Sequence, residues 1–222
     1  MTLKLGRHWR WIICMRWFDV MLLVTFFGTH AAIGGEAYEE LARLYDYPAR
    51  LGRDAVPVCF GHGCSSVRRI ALQPADWQQV TRPFAQAAVD AAGEREQIRH
   101  AIAEMELVAG RLADTADDRA GDIGGFGVLR PQLDCVDESS NTTTYLSLFE
   151  QAGLLKWHSV QPIVRRGYFL VGGWPHYSAL LQENANGDLW VVDSWFRDNG
   201  QPPDVVDLAT WKDGWKPAGF VF

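Results

Sequence analysis

Apolar positions recur every three or four residues in three stretches of the chain and change to a period of two in its last third. Tyr38, Leu41, Leu44 and Tyr45 share one face, which predicts a first helix over 36–51 limited by Pro48. Ile98, Ile102, Met105, Val108 and Leu112 mark a long helix over 94–112, with His100 pointing away from its apolar face. Tyr145, Leu146, Phe149 and Ala152 mark the later turns of a third helix, which Gly153 ends. Pro74-Ala75-Asp76-Trp77 opens a short helical stretch, and 56–72 reads as short extended pieces around the loop Cys59-Phe60-Gly61-His62-Gly63-Cys64. Beyond residue 158, strands are expected over 159–166 (Pro162 suggesting an edge), 168–171 (ended by Gly172 and Gly173), 176–182, 189–196 and 205–208. A short helical turn over 210–215 follows. Helices first and an antiparallel sheet second predict an α+β domain, with the helix over 135–152 between the two halves.

Charge and composition narrow the function classes. The net charge is −6 with no basic stripe, which argues against nucleic acid as a partner. Lys4, Arg7, Arg10 and Arg16 precede a short apolar run over 20–28 and the small residues of Thr29-His30-Ala31-Ala32, the pattern of an export signal. A start at Met15 would give a more conventional leader, and a buried amphipathic helix is the alternative reading. Arg16 and Asp19 interrupt the apolar run, so no stable membrane span is expected after leader removal. Residues 1–32 are therefore read as a signal peptide and 33–222 as a single domain, periplasmic or secreted.

Cys14 lies in the leader, so the mature chain keeps an odd count: Cys59, Cys64 and Cys135. Cys59 and Cys64 suit a disulfide in an oxidising compartment; the alternative is a metal site of Cys59, His62 and Cys64, which lacks a second paired cluster. The loop with Asp114, Asp117, Asp118 and Asp122 is acidic enough for calcium without EF-hand spacing, and it is expected to be a solvated connector. No other cofactor is expected.

Cys135 begins the third helix. Asp134 is a good N-cap and Asp137 extends a capping-box pattern. The helix N-terminus favours a thiolate, and the three acidic neighbours oppose it. A thiol nucleophile needs a base, and the base an orienting group. His158 and His176 follow, and Asp193 sits among apolar residues where it needs a partner. A two-residue turn at Asn186-Gly187 would leave His176 roughly 13 Å along the strand from Asp193. A four-residue loop over 183–186 would put them directly opposite, and the catalytic reading demands that register.

A cysteine at a helix start, a histidine 41 residues later and an aspartate 17 beyond it resemble the transglutaminase-like superfamily. The likeness covers about residues 98–196. It is nearest to bacterial transglutaminase-like cysteine peptidases, whose motif runs Asp-Cys-Glu-Asp-Tyr where this chain has Asp134-Cys135-Val136-Asp137-Glu138. Val136, and the lack of an aromatic after the motif, are departures. The resemblance implies a papain-like or transglutaminase-like core and a protein or peptide substrate. In it Cys135 is the nucleophile, His176 the base and Asp193 its orienting group, with an oxyanion held by the Cys135 N–H and a donor such as Gln132. Trp195 would wall the His–Asp pair from water. The chemistry implied is peptide or isopeptide hydrolysis, with acyl transfer as the alternative. A catalytically silent module binding envelope ligands through its Trp-rich sheet is the reading from another class.

Overall fold

The computed structural model describes residues 35–123, 132–167 and 175–220. All of these lie in the second of two units, Ala32–Phe222. The expected leader and the strand over 168–171 fall outside the described residues.

The architecture is α+β, as the change of period predicts. Helix α1 (Glu36–Leu44) is followed by a hairpin of β1 (Val56–Phe60) and β2 (Ser66–Ile70). Helix α2 (Pro74–Thr81) and the long α3 (Ala91–Ala113) come next, then α4 (Cys135–Gln151). Strands β3 (His158–Arg166), β4 (His176–Glu183), β5 (Leu189–Asp193) and β6 (Asp204–Asp207) form one antiparallel sheet in chain order, and α5 (Leu208–Lys212) closes the chain. Among the described residues β3 is an edge of the sheet, as Pro162 suggested, and its pairing shifts between Gln161 and Val164. α1 stops seven residues short of the expected end. Tyr45 turns extended, and the following residues are drawn onto the hairpin by the contact of the Tyr47 hydroxyl with Cys59 Sγ at 2.9 Å. β5 ends at Asp193 rather than 196, because Ser194 to Arg197 form a turn closed at 2.8 Å.

Helix α4 lies against β3, β4 and β5 and also touches α1, α3 and β1. It is buried on every face, although residues 137–144 are polar. Small hydroxyl side chains make this tolerable. Thr144 and Ser147 donate to carbonyls one turn back at 2.8 Å, and Thr142 meets Ser194 at 2.9 Å. Ala152, expected on the apolar face, is exposed at the C-cap. Ala179, Leu181 and Val192 join the α4 side of the core, whereas Leu180 and Val191 pack on the other face under Trp211 of α5.

The loop over 114–123 is exposed at Asp114, Ala116, Asp117, Arg119 and Ile123, as a solvated connector is, but two of its residues reach into the core. Thr115 and Asp118 are buried, and Asp118 accepts the Leu133 N–H at 2.7 Å on the approach to α4. Asp118 also bonds Glu138 of α4, which faces Glu106 of α3. Glu106 accepts the Gly200 N–H at 3.1 Å from the turn after β5. Three buried carboxyls thus join four segments around the base of α4. Burial pushes Glu106 up to about 8 and Asp118 up to about 7, and raises Glu138 well above the ordinary range; the charge of Asp118 adds to the first, that of Asp122 to the second, and those of Glu106 and Asp118 to the third.

These carboxyls keep protons in the folded chain that the unfolded chain loses near pH 4. Stability should therefore be greatest in mild acid and fall as pH rises from about 4.5 to 8. Glu138→Gln, which removes one ionisation and keeps a donor for Asp118, should flatten that fall. Urea denaturation across the pH range measures it.

Candidate functional site

The local sequence around Cys135 folds as its caps dictate. Asp134 accepts the Val136 and Asp137 N–H groups at 3.0 and 2.9 Å, and Asp137 accepts the Asp134 N–H at 3.3 Å, completing a capping box. A second layer holds the same two carboxylates. Asp137 accepts the N–H groups of His62 and Cys64 at 2.8 and 2.7 Å, and Asp134 accepts that of Gly63 at 2.9 Å. Asn141, two turns into the helix, bonds both backbone groups of Cys59 at 2.7 and 3.0 Å, and Gly61 donates to the Gln132 carbonyl at 3.2 Å.

That donor loop is the Cys59–Cys64 segment. Its ends are joined by the expected disulfide, so neither sulfur is a thiolate for a metal site with His62. Gly61, His62, Gly63 and Cys64 all have positive φ, from 54° to 84°. This left-handed turn costs about 1–2 kcal/mol at each non-glycine residue. It aims three successive N–H groups at the caps of α4, a concave anion-binding arrangement. Among the described residues, the one acid–thiol group close enough to suggest a metal is Cys59, Cys64 and Asp137, and its sulfurs are those of the disulfide.

Cys135 is free and buried. Its Sγ lies 3.9 Å from the Pro175 carbonyl and meets the Tyr177 N–H, so it sits against the backbone on both sides of His176. Burial pushes the thiol up to about 11; the Tyr177 N–H works against this, while Asp134 and Asp193 add to it. The acidic neighbours and burial therefore outweigh the helix terminus.

His176 Nε2 bonds Asp193 Oδ2 at 2.7 Å, with both side chains buried. Neither anticipated register is present. The ladder pairs Ala179 with Val192 through Gln182 with Leu189, and the four-residue loop is 184–187, closed by Glu183 N–H to Asp188 O at 2.8 Å. Continued by one pair, it puts Asp193 opposite Ser178, so His176 reaches Asp193 along a diagonal. Long side chains span such a diagonal, and strand twist brings its ends together. The required direct opposition was too strict.

An aromatic shell encloses the imidazole: Trp195 at 4.8 Å, Phe196 at 5.3 Å and Trp211 at 5.5 Å between ring centroids. Trp195 also belongs to the cluster containing Cys135. Trp211 donates its Nε1–H to Asp193 Oδ2 at 2.8 Å, a positioning role that no spacing in the sequence announced. His176 Nδ1 is buried and has no hydrogen-bond partner. No hydrogen bond joins it to Cys135. Strand alternation puts His176 with Leu180 on the α5 side of the sheet, while Cys135 approaches the start of β4 from the α4 side.

Gln132 is buried beside the helix start, where its amide donates to the Asp117 carbonyl at 3.3 Å. His158 is structural: its Nδ1 meets Glu94 at 2.9 Å, and Glu94 also gathers the N–H groups of Lys156, Trp157 and His158. Cys135 opens into a cleft of about 310 Å³ whose walls include Asp122, Asp134, Arg165, Pro175, Tyr177 and Trp195. Among the described residues no helix is long and apolar enough to cross a membrane. Compared with family models, with curated proteins and with solved structures, the chain matches none.

Reducing the Cys59–Cys64 disulfide frees the left-handed turn and with it the outer donors to Asp134 and Asp137. Dithiothreitol should lower the unfolding free energy by about 2 kcal/mol, and a Cys59→Ser/Cys64→Ser double variant should be equally destabilised and insensitive to the reductant.

Proposed function

We propose that Cys135, His176 and Asp193 carry thiol-dependent amide chemistry through an acyl-enzyme, with hydrolysis of a peptide or isopeptide bond as the reaction. The carrying observation is the imidazole itself. Its Nε2 is fixed by Asp193, its Nδ1 is buried without a partner, and the neighbouring free thiol lies against the residues flanking it. A buried polar atom left unpaired at this position is what a proton acceptor for the thiol requires.

In this reading Cys135 attacks the amide carbonyl while Nδ1 takes its proton. The thiol is pushed up to about 11, so proton transfer accompanies attack and no standing ion pair is needed. The imidazolium then protonates the departing amine, with Asp193 stabilising its charge and Trp211 holding Asp193. The Cys135 N–H at the helix start faces the oxyanion, with Gln132 as a second donor once its amide turns from Asp117. Water completes hydrolysis; an amine in its place would give acyl transfer. The gap between Nδ1 and Sγ closes when substrate binds, as catalytic hydrogen bonds that are long in free enzymes do. Membership of the transglutaminase-like superfamily rests on the Asp-Cys motif and the ordered Cys–His–Asp spacing. The leader pattern supports a reaction in the periplasm or outside the cell.

One observation favours a catalytically silent binding module instead: Sγ and the imidazole make no hydrogen bond and approach β4 from opposite sides. Reactivity separates the two. Iodoacetamide should alkylate Cys135 in the folded protein at neutral pH, and His176→Ala should slow this about 100-fold. Cys135→Ala should abolish new N-termini in an exported-protein fraction read by mass spectrometry. Equal, slow alkylation in both proteins supports the silent module.

A further inference from the structure

We propose that the recess beside the Cys135 cleft is the subsite for one bulky apolar side chain flanking the attacked amide. This rests on Cys135 being the nucleophile.

The recess has a volume of about 350 Å³ and is lined by Leu41, Leu44, Tyr45, Val136, Ile163 and Tyr177, with Glu40 at its rim. It stands at the small end of ligand pockets, sized for a side chain rather than a whole ligand. Val136 and Tyr177 belong to its wall and equally to that of the cleft holding Cys135, so the two hollows adjoin across the residue that follows the nucleophile. An extended substrate with its carbonyl at Sγ would thus carry a neighbouring side chain to the recess.

The chemistry of the lining selects the occupant. Leu41 forms a buried floor, and Leu44 is 64% exposed at the mouth. Among the described residues four large apolar side chains are exposed, and two of them border this groove: Leu44 at the recess and Ile123, 56% exposed, at the cleft. Exposed apolar side chains gathered at a concave site mark a surface that gains by being covered. Glu40 at the rim disfavours an acidic side chain. Most of the wall comes from α1, α4, β3 and β4, with Tyr45 from the end of α1 and Gly63 from the disulfide-closed turn, so the recess is carried largely by regular elements and is formed before substrate arrives.

The test is protection of Cys135 from iodoacetamide by the blocked peptides acetyl-Gly-X-Gly-amide, with X as Phe, Ala or Asp, at equal concentrations. The Phe peptide should protect about tenfold better than the Ala peptide, and the Asp peptide should not protect. Leu44→Glu, at an exposed position outside the catalytic group, should remove the preference for Phe without altering alkylation in the absence of peptide. Leu44→Met should retain it. Equal protection by all three peptides, or a preference that survives Leu44→Glu, overturns the subsite, and rapid His176-dependent alkylation in the same samples leaves the nucleophile standing. Slow alkylation independent of His176 defeats the nucleophile and brings the subsite down with it.

Discussion

The grip of the Cys59–Cys64 loop on the start of α4 is the interaction on which the rest of the site depends. Three of four consecutive left-handed residues present N–H groups to Asp134 and Asp137, and the disulfide holds the turn closed. Without those donors, two carboxylates would face each other within one buried helical turn. Asp137 is pushed up to about 6 even so, first by burial and then by Asp134, with the N–H bonds opposing both. The loop thus lets an acidic cap stand directly beside Cys135. Through Asn141 and the Gln132 carbonyl, it also fixes the helix two turns in and the strand of chain leading to it.

The second constraint is the end of the sheet. His176 begins β4 and Asp193 ends β5, so their hydrogen bond is made where the ladder between these strands has stopped. Aromatic rings take over there. Trp195 and Phe196 fold across the strand ends and Trp211 rises from α5, and the three rings and the carboxylate leave only Nδ1 of the imidazole unclaimed. On the proposed mechanism this division of labour is what matters. Asp193 and Trp211 position the base, and the thiol, held protonated by burial, waits for it.

The sequence made the helix of Cys135 legible because capping is local: an aspartate before the cysteine and another three residues on have few alternatives. The disulfide was legible from cysteine count, and the edge strand from Pro162. What was missed involves long-range packing. Residues 137–144 are polar yet buried, because partners lie on other elements: the Cys59–Cys64 loop for Asp137 and Asn141, Ser194 for Thr142 and Asp118 for Glu138. Asp118 looks like a loop acid and is a core carboxyl, because its partner Glu138 lies on another element. The hairpin register was off by one loop position, since Asn and Gly at 186–187 fit either a two-residue turn or the tail of a four-residue loop. Trp211 carried no signal at all: a tryptophan 18 residues beyond Asp193 is unremarkable until α5 folds back over the sheet.

The pH dependence of Cys135 alkylation, in wild type and in His176→Ala, tests the central claim that this imidazole is the base for this thiol. With His176 in place, alkylation should already be rapid at neutral pH. Without it the rate should follow the ionisation of a thiol that burial holds protonated, and fall about tenfold for each pH unit down through the neutral range. Superimposed profiles for the two proteins would contradict the account.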